Sequence, residues 1–135
     1  MRGAKGFTLV EVLVVVVIIG VLAAMIVPRF IGRTDEARRN AARMQIGQVD
    51  SAIQTFYLDY NRYPNSLDEL VRQPADISDD RWRAPSLRER DLRDPWGNPL
   101  VYRYPGQHGV FDLYSLGADG QEGGEGDNAP VTNWD

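Results

Sequence analysis

The sequence predicts an α+β chain: a long N-terminal helix packed on a small antiparallel sheet, with a glycine-rich acidic loop at the C-terminal end. Three observations predict it. Val12 to Val27 are sixteen consecutive uncharged positions inside an apolar segment that begins at Phe7. Ala42, Ile46, Val49, Ile53, Phe56 and Tyr60 recur at spacings of 4, 3, 4, 3 and 4, one apolar stripe on an amphipathic helix. Two alternating runs, "LVYRY" and "VFDLYSL", flank the turn-forming "PGQHG".

The first element spans Phe7 to Val27, 21 residues. As a helix rising about 1.5 Å per residue it reaches roughly 30 Å, the thickness of a hydrocarbon core. Valine and isoleucine dominate it, and in lipid a helix is how a single segment satisfies its own backbone. Arg2, Lys5 and the small residues of "LAAM" also suit a secretory signal peptide. The run is long for that role, and Glu11 at its leading edge is out of place. An unpaired charge in low dielectric costs several kcal/mol, so Glu11 calls for a partner unless it is protonated or snorkels to the interface. Pro28 removes a backbone donor and crowds the Ala24 carbonyl, which predicts a kink where the span ends. Topology stays open on charge alone: Arg2 and Lys5 favour a cytoplasmic N-terminus, whereas Arg29, Arg33, Arg38, Arg39 and Arg43 favour the reverse.

The stripe carries the helix on to about Asp59, and Asn61 with Pro64 ends it. A short helix follows, capped by Asn65 or Ser66, with Leu67, Leu70 and Val71 inward. Residues 72–93 show no clean period and are expected to form a surface loop with one short turn. Asp79 and Asp80 lie there as solvated residues, because nothing apolar surrounds them to turn them into catalytic acids. Asp94 to Pro99 is turn chemistry, and the two strands behind it face the helix through Val101 or Tyr102 and alternate residues of Val110 to Leu116. The domains predicted are a leader over 1–6, a membrane helix over 7–29, its amphipathic continuation over 30–60 and a globular part over 61–135.

Composition narrows the function classes. The 135 residues contain no cysteine, which removes a disulfide framework and a thiolate metal site and leaves a bound ion as one way to staple a small domain. Net charge is −4, but the last 25 residues carry acids and neither Lys nor Arg, against the arginine-rich stretch 29–43. That stretch lacks the aromatics and motifs of a nucleic-acid surface. "GEGDNA" resembles a dinucleotide fingerprint without the strand-turn-helix that such a site needs. His108, the sole histidine, sits between glycines in a hairpin loop and reads as an exposed loop residue, so a catalytic triad is unsupported. The closing segment is different: glycines permit sharp turns, and Asp119, Glu122, Glu125, Asp127 and Asn128 supply the oxygens that a hard cation such as Ca²⁺ requires. The string is not an EF-hand, and an ordinary solvated loop would look the same.

"KGFTLVEVLVVVVIIGVLAAMIVP" resembles the N-terminus of type IV pilins and of the pseudopilins of type II secretion. The resemblance implies a pilin-like lollipop fold and an N-in topology with the bulk of the chain in the periplasm. It also implies cleavage after Gly6 by a prepilin peptidase, N-methylation of Phe7, and a Glu11 that attracts the N-terminal ammonium of a neighbouring subunit. "DPWGNPLVYRYPG", "FDLYSLGADGQEGGEGDNA" and the final Asn-Trp are similar to the major pseudopilins in particular. From them come the expectation of Ca²⁺ held by Asp119 and Asp127, with the carbonyls of Leu116 and Gln121 and with Asn128 beside them. Pro130 stands where related chains often carry an acid. The function implied is a homopolymeric, non-enzymatic subunit of the secretion pseudopilus, acting with minor pseudopilins, an inner-membrane assembly platform and an outer-membrane secretin. A type IV pilin or minor pseudopilin is the neighbouring alternative. A membrane-tethered binding protein that never assembles is the alternative of another class.

Overall fold

The computed structural model describes residues 6–135, without the side chains of residues 27–34. Met1 to Lys5, most of the expected leader, lie outside the described residues. One helix, α1 (Leu9–Tyr60, 52 residues), enters both of two compact units, Met1–Asp35 and Glu36–Asp135. The helix continues through Pro28, so the proline does not end it.

In the first unit the window Leu9–Ile26 has mean hydropathy 3.1, and none of it is buried. A helix segment that is apolar on every face and buried by none of the described residues suits lipid or other helices.

In the second unit the predicted stripe is the core. Ala42, Ile46, Val49, Ile53 and Phe56 are buried, and Tyr60 packs against them half-buried. Asn61 closes the helix at φ 57, its N–H donating to Tyr57 O at 2.7 Å. Asparagine tolerates this left-handed position better than other residues with a Cβ. Leu67–Leu70 is a single 3-10 turn rather than an α-helix; Ser66 precedes it without a side-chain cap, and the Glu69 carboxylate instead accepts from Asn65 N at 3.0 Å. Leu70 is buried, with Leu67 and Val71 packed on the core as expected.

Residues 72–93 depart from the expectation of a surface loop. Their one regular element is a 3-10 turn, Glu89–Leu92, but Ile77, Leu87 and Leu92 enter the main core and Trp82 stacks on Tyr60 at 5.9 Å. Apolar anchors spaced irregularly hold a loop without printing a period. Asp79 and Asp80 are exposed, as read from the sequence.

The sheet has three antiparallel strands in the order β1 (Val101–Arg103), β2 (Asp112–Ser115) and β3 (Val131–Thr132). Tyr102 pairs with Leu113 and Tyr114 with Thr132. Of the two residues proposed to face the helix from β1, it is Tyr102 that packs against the core. β3 is an addition to the predicted hairpin and pairs with the far edge of β2 at Tyr114 and Ser115. All four residues of β2 are buried, where a two-stranded hairpin would leave one face wet. Leu113 and Phe111 join the core, while Tyr114 meets Trp134 edge-on at 5.6 Å.

Candidate functional site

Two regions carry the chemistry. At the N-terminal end, Gly6, Phe7 and Thr8 precede α1 as exposed, non-helical backbone, and Phe7 is 84% exposed. A peptide bond there is open to a protease, which needs an extended substrate that a helix would withhold. Thr8 Oγ1 accepts from Glu11 N at 3.1 Å, one half of the Thr-x-x-Glu capping arrangement. Glu11 therefore sits in the first turn of α1, where the positive end of the helix dipole suits a carboxylate, with its side chain exposed. The Thr8 cap was legible in "TLVE" and is the residue that sequence reasoning passed over.

At the C-terminal end, residues 116–129 fold back on themselves. Ala118 N donates to Asp127 O at 3.0 Å, and Asp119 Oδ1 accepts from Gln121 N at 3.1 Å. Gly117 (φ +93) runs so close to the far arm that a Cβ would meet Ala129 O at 2.8 Å and Asn128 O at 2.9 Å; at Gly124 it would meet Asn128 O at 2.6 Å. Glycine is required at both places to let carbonyl-bearing backbone approach this closely. The loop thus brings together the segments bearing Leu116, Asp119, Gln121, Asp127 and Asn128. Their donor set is entirely oxygen, which fits a hard cation. Among the described residues no three His, Cys, Asp or Glu side chains are grouped as a metal cluster, so carbonyls would have to complete such a site.

Two buried carboxylates frame this loop. Asp94, 5% exposed, accepts from Trp96 N at 3.1 Å, Asn98 N at 2.8 Å and Ser115 Oγ at 2.7 Å, while Gly117 N donates to Ser115 Oγ at 3.2 Å. The Asp94–Pro99 turn is thereby tied to β2 where the loop departs. Asp112, 2% exposed, accepts from Gln107 N at 2.9 Å and His108 N at 3.0 Å, and its Oδ2 lies 3.2 Å from His108 Nδ1. Burial works against its ionisation, but the two backbone N–H groups and the His108 ring prevail and hold its pKa below the usual carboxylate value. His108 is exposed as read, yet it is not idle: its ring lies flat on Trp134, centroids 4.0 Å apart. Tyr114 OH donates to Glu122 Oε1 at 3.0 Å, and Arg39 reaches across to Ala129 O at 2.7 Å. The loop's last residues are held by the hairpin on one side and by α1 on the other.

The model of the family "Type II secretion system (T2SS), protein G" matches residues 29–134, and that of the prokaryotic N-terminal methylation motif matches residues 1–27. The chain belongs to the type II secretion protein G family. It is 43% identical to the type II secretion system core protein G of Pseudomonas aeruginosa over 138 residues, covering 99% of this chain and 97% of that one. It is 42% identical to the Vibrio cholerae core protein G over 137 residues, covering 99% and 94%. Among solved structures it is similar to the major pseudopilin from the type 2 secretion system of enterohaemorrhagic Escherichia coli, with TM-score 0.61 and 30% identity over 76% of this chain and 87% of that one. The family makes the chain a structural subunit of the secretion pseudopilus, assembled with other components of the secretion system. With the apolar helix, it also points to a membrane-anchored protein.

Proposed function

We propose that this subunit is inserted in the bacterial inner membrane with its N-terminus cytoplasmic, cut after Gly6 by a prepilin peptidase, methylated at Phe7, and polymerised with copies of itself into a periplasmic pseudopilus. The single observation that carries the reading is Glu11, the one acid in the apolar window Leu9–Ile26, which none of the described residues buries. In lipid its charge is unmatched. In a fibre each Glu11 meets the Phe7 ammonium of an adjacent copy, and pairing offsets much of the desolvation cost. Pro28 would relax the helix where the span ends. The polymer then pushes or scaffolds folded cargo through an outer-membrane secretin, from an inner-membrane platform and with minor pseudopilins at its side. The subunit is no enzyme; a cytoplasmic ATPase supplies the force.

Calcium belongs to the same reading. Asp119 and Asp127, the carbonyls of Leu116 and Gln121, and Asn128 would hold the ion, which would supply charge neutralisation for an acidic loop. The protein's own part is the close backbone packing at Gly117 and Gly124.

Glu11→Val tests the assembly claim. The variant is expected to insert in the membrane and to be cleaved, but to form no fibres and to export no cargo. Normal secretion by it would overturn the pairing. Mass spectrometry of the mature N-terminus reads cleavage and methylation together.

A further inference from the structure

His108 lines a small cavity of about 170 Å³ together with Arg103, Asp112, Tyr114, Glu122 and Trp134. Its imidazole is held on two sides. Nδ1 lies 3.2 Å from Oδ2 of the buried Asp112 carboxylate, and the ring lies within 3° of parallel to Trp134 at 4.0 Å between centroids. Both contacts gain when the ring carries a proton: the carboxylate through opposite charge, the indole through cation–π attraction, which acts within about 6 Å of a ring centroid.

The charges around the ring come from several elements. β2 contributes Asp112, which its two backbone donors and the His108 ring keep ionised. β1 contributes Arg103 and the acidic loop contributes Glu122, and these two offset each other at 3.6 Å. Tyr114 OH donates to Glu122, and burial pushes its pKa up, so it stays neutral. Asp135 follows Trp134 on the C-terminal segment. Of these side-chain types only histidine ordinarily changes its charge between pH 5 and 8.

The ring holds the segment that closes the acidic loop. Residues 116–130 leave β2 and return as β3, which pairs at Tyr114 with Thr132 and at Ser115 with Val131. Two residues fall below the usual length of a strand. The fastening comes next in the sequence: Asn133 N donates to Leu113 O at 2.9 Å, Asn133 Oδ1 accepts from Leu113 N at 2.9 Å, and Trp134 lies flat on His108.

We infer that His108 is a pH-sensitive latch: protonated, it bridges the Asp112 carboxylate and the Trp134 ring and fastens the segment that closes the acidic loop; neutral, it loosens that segment. The fastening is complete while the imidazole is charged and weakens as pH rises through its titration. This is opposite in sign to the contribution of Asp112, which is lost in acid. The latch is a property of the second unit alone and stands apart from the assembly reading.

Amide exchange of the full chain in detergent micelles tests it, read by NMR as protection factors, which remove the intrinsic dependence of exchange on pH. From pH 5 to pH 8 the Asn133 N–H is expected to lose about tenfold in protection, while the Leu100 N–H, bonded to Leu92 O in the turn before β1, keeps its own. His108→Gln can still donate to Asp112 but cannot take a charge. Its Asn133 protection is expected to stay flat over this range, at the level the wild type reaches at pH 8. Trp134→Leu, which removes the aromatic face and keeps an apolar side chain, is expected to shrink the drop to about threefold. Equal Asn133 protection at the two pH values in the wild type, or an undiminished drop in His108→Gln, would overturn the latch. An equal loss at Leu100 would trace the effect to the whole unit and overturn it as well.

Discussion

Asp94→Ala removes the acceptor on which the Asp94–Pro99 turn and the start of the acidic loop both depend. Three donors lose their partner: Trp96 N, Asn98 N and Ser115 Oγ. Trp96 and Asn98 are half-buried and recover water in part, at about 1 kcal/mol each. Ser115 is completely buried and cannot, so its hydroxyl costs about 1–3 kcal/mol. The sum is about 3–5 kcal/mol, a large share of the 5–15 kcal/mol typical of a folded domain. Asp94→Asn separates geometry from charge. Its remaining oxygen keeps the two backbone donors that Oδ1 now serves, and its amide meets Ser115 Oγ, so the loss is expected to be about 1–2 kcal/mol. Urea unfolding of the full chain in detergent, followed by tryptophan fluorescence, measures both; at a slope of about 2 kcal/mol per M, the alanine variant moves the midpoint by about 2 M. A loss under about 1 kcal/mol for Asp94→Ala, or equal losses for the two variants, would refute the argument that the buried carboxylate organises this turn.

Gly117→Ala is expected to cost about 2–4 kcal/mol in the same measurement, because φ +93 strains a Cβ that would also meet Ala129 O at 2.8 Å. Asp112 predicts an acid-sensitive contribution: its folded pKa lies below its unfolded value, so the stability it adds is present above about pH 4 and disappears as pH falls through the folded pKa. Melting curves from pH 2 to 7 are expected to show a steeper acid loss in the wild type than in Asp112→Asn. If calcium is held as proposed, chelation or Asp119→Ala with Asp127→Ala lowers the melting temperature of the second unit, and added Ca²⁺ rescues the wild type only. A melting temperature indifferent to Ca²⁺ would remove the metal from the reading.

Much of the chain was legible before any tertiary contact was known, and for one reason: the informative signals are local. Sixteen uncharged residues report a helix long and apolar enough to cross a membrane, a spacing of 4, 3, 4, 3, 4 reports the buried stripe of α1, and the residues from Lys5 to Glu11 lie in the stretch that matches the N-terminal methylation motif. Each can be read from neighbours within a turn or two of helix. Asn61 and Pro64 ended the helix as expected because a left-handed cap and a missing donor are properties of single residues.

What tertiary structure decided lies between residues far apart in the chain. β3 is two residues long, too short for any alternation to show, and it exists because β2 offers it an edge. The two faces of β2 are covered separately, Leu113 by the core and Asp112 and Tyr114 by the 107–108 backbone and Trp134. Segment 72–93 is seated by Ile77, Leu87 and Leu92, whose spacing follows the contour of the core rather than the pitch of a helix or the pleat of a strand. Asp94 finds Ser115 across 21 residues, and His108 finds Trp134 across the closing loop. A local window weighs a residue's own preferences; whether a carboxylate is buried and served by three donors depends on which distant backbone the fold carries to it.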